Sequence, residues 1–472
     1  MRMRLPLIST ALTLLAAVLP AATPRTMRVD YFHTGNAAEE RFSLDRVVVE
    51  PLEWPGNPSR PIDDTNFGKY FFEVIDRGTN RAIFSRGFAS IYGEWEGTDE
   101  AKERFRTFHE SLRFPTPPGP VQVVVKKRDA RNAFREMWST LVDPKDPFVD
   151  ASRPPSPGPL LEIQRSGPSE AKSDFLILGD GYTAAERGKF EKDAKRLAEI
   201  LFSVSPFKER RADFNVWGLC PPAEESGISR PSTGIHKRSP IGASYDAFGS
   251  ERYVLTYENR AFREIASFAP YEHVEILTNS RTYGGGGIFN LYSTVAADSM
   301  WSPYVFVHEF GHHFAGLADE YYTSDVAQLP ATDRVEPWEP NVTALKDPAT
   351  LKWKDLVTPG TPLPTPWGKE AFEKYSREIQ KRRRQIRAER RPEEDMEQLF
   401  LEEKAAETKL LSSDPNASRV GAFEGAMYEA AGYYRPQIDC IMFTRNAVPF
   451  CAACRRAIER IIDLDTGRGE GR

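Results

Sequence analysis

Residues 302–316, SPYVFVHEFGHHFAG, decide how this chain is read. Ser302 suits an N-cap and Pro303 the first helical position, so a helix starts here. Apolar side chains run almost all the way round it: Tyr304, Val305, Phe306, Val307, Phe310 and Phe314. Such a helix belongs in a core rather than on a surface. Gly316 suits a left-handed turn that ends the helix and lets the chain double back.

Inside this helix sits H-E-x-x-H. His308 and His312, four residues apart, share one face a turn apart, so their imidazoles can grip a single ion. Glu309 places a carboxylate beside that ion without being forced to bind it. There it can take a proton from water that zinc has made acidic and pass it to a leaving amine. A metal, a water and a base suffice for amide hydrolysis. The bland reading is two core histidines and a buried Glu, and an apolar helix bearing those groups is costly without a metal. His313 points about 140° away from His308 on helical geometry and is read as a packing or supporting residue.

A catalytic zinc takes three protein ligands and keeps one position open. None of the 7 histidines lies beyond His313, so the third ligand is not His. After the Gly316 turn, Asp319 or Glu320 can supply an oxygen. The metzincin pattern ends in His and has its Gly one position earlier, so this chain departs from it twice. Farther on, Asp439-Cys440-Ile441-Met442 resembles the Met-turn that lies beneath the zinc in metzincins.

Outward from the helix, residues 171–465 read as one catalytic domain of alternating elements. Asp174–Gly179 has FLIL at its centre, the signal of a buried strand. Asp180-Gly181 makes a turn, and Thr183 can cap a helix from Ala184 to about Ser203. Strands follow at Asn215–Leu219, Tyr253–Thr256, Val274–Thr278 and, after the glycines at 284–287, Ile288–Val295. A charged helical insertion is expected at about 326–415, with helices Lys369–Arg390 and Glu393–Leu411. Its Lys381–Arg384 run reads as a solvated helix face.

Ahead of this lie a Pro-rich linker, 146–170, and an N-terminal β-sandwich domain, 27–145. Short β-rich runs separated by Gly, Pro and Asn carry the sandwich reading. Trp54, Trp95 and Trp138 are read as its core, and Asp99–Leu112 as a helix. The fold class expected is therefore α+β, an all-β sandwich followed by an α/β catalytic domain.

Bulk properties add constraints. The chain has 472 residues and a net charge of −5 from 63 basic and 68 acidic residues, so nothing points to nucleic acid or an anionic membrane. Arg2 and Arg4 precede an apolar run from Leu5 to Leu19, with Ala21 and Ala22 after it, the order of a signal peptide over 1–24. The run is short for a bilayer span, and no later apolar stretch is long enough. A secreted or periplasmic protein without a membrane span is expected. Cys440, Cys451 and Cys454 cluster near the C-terminus, with Cys220 apart. They are read as structural, one disulfide among the trio being plausible with no pairing indicated; no second C-x-x-C or nearby His completes a zinc site.

With these residues in hand, the chain resembles the IgA-peptidase family of bacterial secreted zinc metallopeptidases. The matching features are Gly179-Asp180-Gly181-Tyr182-Thr183, Gly284–Gly287 with Ile288, and the block HEFGHHFAGLADEYY from His308 to Tyr322. Tyr434-Arg435-Pro436, Cys440-Ile441-Met442, Cys451–Cys454 and Gly93-Glu94-Trp95 extend it over most of the chain outside 326–415. The resemblance implies a zincin-like endopeptidase with Zn2+ as cofactor, His308, His312 and Asp319 as ligands, and Glu309 as base. It also implies an edge strand that pairs with a protein or peptide substrate, here Gly287, Ile288 and Phe289 at the head of Ile288–Val295. Tyr434 is its candidate for stabilising the oxyanion, and Met442 its Met-turn residue. Immunoglobulin-type or other extracellular proteins are the substrates so implied. The alternative is a secreted protein- or glycan-binding protein with a structural or inert zinc site; retention of Glu309 speaks against inertness. No pocket motif for a chain terminus, which an exopeptidase needs, is legible. Oligomeric state is not addressed by any motif.

Overall fold

Alternating burial builds the N-terminal part. The computed structural model describes residues 23–324 and 334–468. The expected signal segment, but for residues 23 and 24, and residues 325–333 lie outside the described residues. Strands β1 (Arg25–Gly35), β2 (Glu40–Glu53), β3 (Tyr70–Asp76) and β4 (Arg81–Phe88) are followed by short helices α1 (Ile91–Trp95) and α2 (Asp99–Glu103). Strands β5 (Arg106–Pro115), β6 (Val121–Arg128) and β7 (Phe134–Val142) complete the region. They form two antiparallel sheets, β2-β1-β5 and β4-β3-β6-β7. Met27, Val29, Tyr31, Leu112 and Phe114 from the first sheet share a buried core with Phe72, Val74, Val121, Val123 and Val125 from the second. Two apolar inner faces closing on each other exclude water from both at once.

The helix expected over Asp99–Leu112 is corrected. It ends at Glu103, and Arg106–Pro115 is a strand. Phe108, Glu110, Leu112 and Phe114 are buried while their neighbours are partly exposed, a two-residue period that no helix face accommodates. Trp138 and Trp54 flank the sheet-to-sheet core, but fully buried Trp95 packs in the larger core of the following region.

Residues 151–160 carry no regular structure and are mostly exposed, as the Pro-rich composition dictates. The chain then enters a six-stranded sheet ordered β14-β15-β13-β9-β10-β8. Its members are β8 (Leu161–Gln164), β9 (Ser173–Asp180), β10 (Phe214–Leu219), β13 (His273–Thr278), β14 (Gly285–Ile288) and β15 (Tyr292–Ala296). A two-stranded ribbon, β11 (Ala243–Ser244) with β12 (Leu255–Thr256), lies between β10 and β13 in sequence. The four central strands are parallel and β8 and β14 are antiparallel edges. Every residue of β9 is buried, as expected for a strand covered on both faces. Thr183 and Glu186 form a capping box ahead of α3 (Arg187–Leu201). Helix α4 (Asn259–Ala266) precedes β13, and α5 (Ser302–Ala315) lies against β14 and β15.

The single strand expected over Ile288–Val295 is also corrected. The chain reverses at Phe289–Leu291, so Ile288 ends the edge strand β14 and β15 begins at Tyr292. Helix α5 starts at Ser302 itself, with Trp301 in the cap position and the Ser302 hydroxyl accepting from Arg196 instead. Its far end is as expected: Gly316 caps it at φ 60°, ψ 35°. A side chain there would press on the Trp338 ring 2.6 Å from the Cβ position. The buried side of α5 is aromatic, with Phe310 4.7 Å from Phe175 and 5.3 Å from Phe314 between ring centres.

Two long helices, α6 (Lys369–Ala388) and α7 (Glu393–Ser412), pack on each other. Lys381, Arg382 and Arg384 are exposed and Arg382 pairs with Glu402 at 2.7 Å, a solvated face. A hairpin, β16 (Phe423–Ala426) with β17 (Glu429–Arg435), and helix α8 (Ala452–Thr466) finish the fold. The N-terminal sheets dock on the α/β region through polar contacts: Asn259 donates to His109 and Ser111, Arg113 to the Tyr271 carbonyl, and Ala89 N–H to the Phe289 carbonyl. Among the described residues no helix is long and apolar enough to cross a membrane.

Candidate metal centre

Helix geometry brings the first two donors together. Nε2 of His308 and Nε2 of His312 lie 3.2 Å apart. The chain leaves α5 through Gly316, and residues 317–320 fold back under the imidazoles. This return is pinned from several directions. Asn341 accepts from Ala318 N–H and donates to its carbonyl, Glu320 N–H donates to the Met442 carbonyl, and Met427 N–H to the Asp319 carbonyl. Asp319 Oδ1 is thereby set 3.0 Å from Nε2 of His308 and 3.3 Å from Nε2 of His312.

Tautomers follow from the outer ring nitrogens. Nδ1 of His308 lies 2.9 Å from the Ile441 carbonyl, and Nδ1 of His312 is 2.5 Å from the Leu317 carbonyl. A carbonyl only accepts, so both Nδ1 atoms carry the hydrogen and, in neutral rings, both Nε2 atoms present lone pairs. With both rings neutral, two lone pairs and a carboxylate oxygen face one point. Donors at about 2.0–2.1 Å from a tetrahedral ion stand about 3.3 Å from one another, which is the spacing of these three atoms. The chemistry of the set, two imidazoles and a carboxylate with outer nitrogens tied to carbonyls, fits zinc.

The electrostatics agree. Burial works against a charge on His312, but Asp319 and Glu309 more than offset it and raise its pKa to about 9. Burial lifts Asp319, yet His312 and His308 hold it well below the ordinary carboxylate range. The point between these groups draws positive charge. Glu309 shifts up, chiefly by burial, with the two histidines pulling the other way, a direction that suits a base poised to hold a proton.

Three tyrosines surround the cluster. Tyr428 donates to Asp319 Oδ2 at 2.6 Å, Tyr304 Oη lies 3.2 Å from Nδ1 of His308, and the Tyr321 ring stacks parallel to His308 at 6.3 Å. Tyr304 was accessible to sequence reasoning, being four residues before His308 on the same helix face. Tyr428 was not. It and Met427 occupy the tight turn between β16 and β17 at φ 66° and 51°, a conformation that ordinarily selects Asn and Gly. Backbone bonds from Met427 to Asp319 and from Tyr428 to Tyr321 hold that turn in place. Tyr434 is half-buried on β17, where its main chain exchanges hydrogen bonds with Thr343.

Glu320 follows Asp319 but points the other way, into a fully buried pocket with the three C-terminal cysteines. Met442 is fully buried, its sulfur 3.2 Å from the Cβ position of Gly311 on the underside of α5. His313 is fully buried on the opposite side. Its Nδ1 donates to the Ile288 carbonyl and its Nε2 accepts from Val274 N–H, so it clamps α5 to the sheet; burial holds its pKa well below the usual value.

The glycine run at 284–287 has a steric cause. A Cβ on Gly287 would sit 2.2 Å from the Glu309 carbonyl, and one on Gly285 would be 2.6 Å from Val305. Only glycine lets β14 lie directly on the backbone of α5 beside Glu309. Gly285 turns its N–H and carbonyl outward to Arg252 and Val254. Two residues on, Gly287 faces the same outer side. Ile288 and Phe289 are buried, and their carbonyls serve His313 and Ala89, so of the three expected strand residues Gly287 has the main chain placed for a partner. On the other flank, α6 and α7 wall the cavity: Phe372, Gln380 and Glu403 line it with Tyr304, His308 and Glu309.

Comparison with known proteins gives two matches. The family model described as IgA Peptidase M64 matches residues 161–462, and the one described as Peptidase M64 N-terminus matches residues 20–139. No curated protein matches the chain.

Proposed function

The chain belongs to the IgA peptidase M64 family, a family of metallopeptidases, and from that premise we propose that it is an exported zinc-dependent endopeptidase of zincin-like architecture. One observation carries the zinc reading: Nε2 of His308, Nε2 of His312 and Oδ1 of Asp319 converge within 3.3 Å with both outer ring nitrogens already committed to carbonyls. His308, His312 and Asp319 would hold the ion. Bound there, zinc supplies Lewis acidity, making water acidic near neutral pH and polarising a peptide carbonyl.

The chain's own residues do the rest. Glu309, half-buried beside the donor triangle, takes the proton of the attacking water and delivers it to the leaving nitrogen. Asp319 is held for its task by Tyr428, and His308 and His312 by carbonyl acceptors that fix their ring orientation. Gly287 offers an outward N–H and carbonyl on an edge strand, the means by which an extended protein segment is aligned as an added strand. An extracellular protein, immunoglobulins among the candidates, is the substrate class this reading favours.

Stripping metal with a chelator should abolish hydrolysis of an unfolded protein substrate, and added zinc should restore it. Hydrolysis persisting with no detectable metal would sink the reading. Tyr428→Phe, which removes only the hydroxyl on Asp319, should weaken zinc binding by about 10–100-fold. Competition against a calibrated chelator measures this, and an unchanged affinity would remove Tyr428 from the site.

A further inference from the structure

Behind the His308 cluster a second set of donor atoms converges. Sγ of Cys440, Cys451 and Cys454 and a carboxylate oxygen of Glu320 all lie within 4.8 Å of one another, and all four residues are buried. Glu320 Oε1 stands 3.4 Å from Cys454 Sγ and 3.6 Å from Cys451 Sγ, and Cys440 Sγ is 4.0 Å from Cys454 Sγ. We propose that Glu320, Cys440, Cys451 and Cys454 bind a second, structural zinc ion.

Spacing is the first argument. Around a tetrahedral zinc with bonds of about 2.3 Å to sulfur and 2.0 Å to oxygen, neighbouring sulfurs stand about 3.8 Å apart and sulfur and oxygen about 3.5 Å. The three separations above scatter about those edges. The second argument is the treatment of the sulfurs. Backbone N–H groups of Cys451 and Met442 point at Cys440 Sγ at 3.2 and 3.5 Å, and that of Cys454 at Cys451 Sγ at 3.5 Å. Cys451 is also the N-cap of the 15-residue helix α8. Amide donors and a helix N-terminus stabilise thiolates, the form in which cysteine binds metal.

Glu320 supplies an independent third argument. It is fully buried; Oε1 accepts from Asn341 at 3.0 Å, and Oε2 has no hydrogen-bond partner among the described residues. A carboxylate left so, facing three sulfurs, is costly unless a cation sits among them. Three soft thiolates with one carboxylate at tetrahedral spacing select zinc over calcium or magnesium. C-x-x-C at Cys451 and Cys454 lacks a second pair in the sequence, and folding supplies the missing donors from Cys440 and Glu320.

The location gives the ion a task. Glu320 adjoins Asp319, and Cys440 adjoins Ile441, whose carbonyl orients His308. One ion between them ties the third donor's segment, the turn under α5 and the start of α8 to a single point. The inference rests on the proposed function only in counting the first zinc.

The test uses the full chain and zinc itself. Wild type should carry about two zinc ions per chain, and His308→Ala/His312→Ala, which leaves all four proposed donors in place, about one. Cobalt substituted into the double variant should show thiolate-to-metal charge-transfer absorption. Alkylation in denaturant with chelator should cap all four cysteines. A double variant without zinc, cobalt bound without sulfur absorption, or two cysteines withheld from alkylation as a disulfide would each overturn the proposal. If instead the His308 reading alone is wrong, wild type and double variant both hold one zinc.

Discussion

Glu309→Gln should retain the zinc held by His308 and His312 while hydrolysis falls by about 10²–10⁴-fold, the range that a positioned acid–base group contributes. The substitution preserves shape and removes only the capacity to accept a proton. The shape matters because the Glu309 backbone is in close contact with β14: its carbonyl is 2.2 Å from the Cβ position of Gly287. Metal affinity and thermal stability should therefore change little, and the loss should sit in kcat with KM nearly constant. Zinc content by elemental analysis and steady-state cleavage of an internally quenched peptide measure the two arms. Activity within tenfold of wild type at full zinc occupancy would exclude Glu309 as the base.

Asp319→Ala should have the other large effect, and of a different kind. Asp319 is the acid that closes the donor triangle, with Oδ1 on both imidazoles and Oδ2 on Tyr428. Its loss leaves two neutral rings facing each other at 3.2 Å and a tyrosine hydroxyl without its acceptor. A two-histidine site lacks the third ligand and the negative charge that a catalytic zinc uses. Zinc affinity should fall well beyond the roughly 10–100-fold expected of a supporting residue, and hydrolysis with it. Chelator competition separates this from Glu309→Gln, which keeps the metal. Retained zinc affinity in Asp319→Ala would move the third-ligand role to another residue.

The legible part of the site was local. His308, Glu309 and His312 lie within one turn and a half of helix, and their relative placement follows from 3.6 residues per turn whatever surrounds them. The Gly316 cap, the buried FLIL strand of β9 and the helix cap at Thr183 were equally readable, each resting on neighbours a few residues apart. A helix does begin at Asp99, as α2, but it ends at Glu103 and does not extend into Arg106–Pro115. Burial between two sheets then imposed the two-residue period.

What the sequence by itself determined is a buried helix that sets His308 and His312 on one face with Glu309 beside them, the pattern on which the zinc proposal starts. Tertiary structure alone decided which of two adjacent carboxylates faces the two imidazoles. Asp319 turns to the histidines and Glu320 to the cysteines because the segment is fixed by Asn341, Met427 and Met442. It also decided that Tyr428 reaches Asp319 across 109 residues and that Glu320 meets Cys454 across 134 residues. Helical spacing is set by bonds between near neighbours, whereas convergence at such distances is set by packing, which no local pattern encodes.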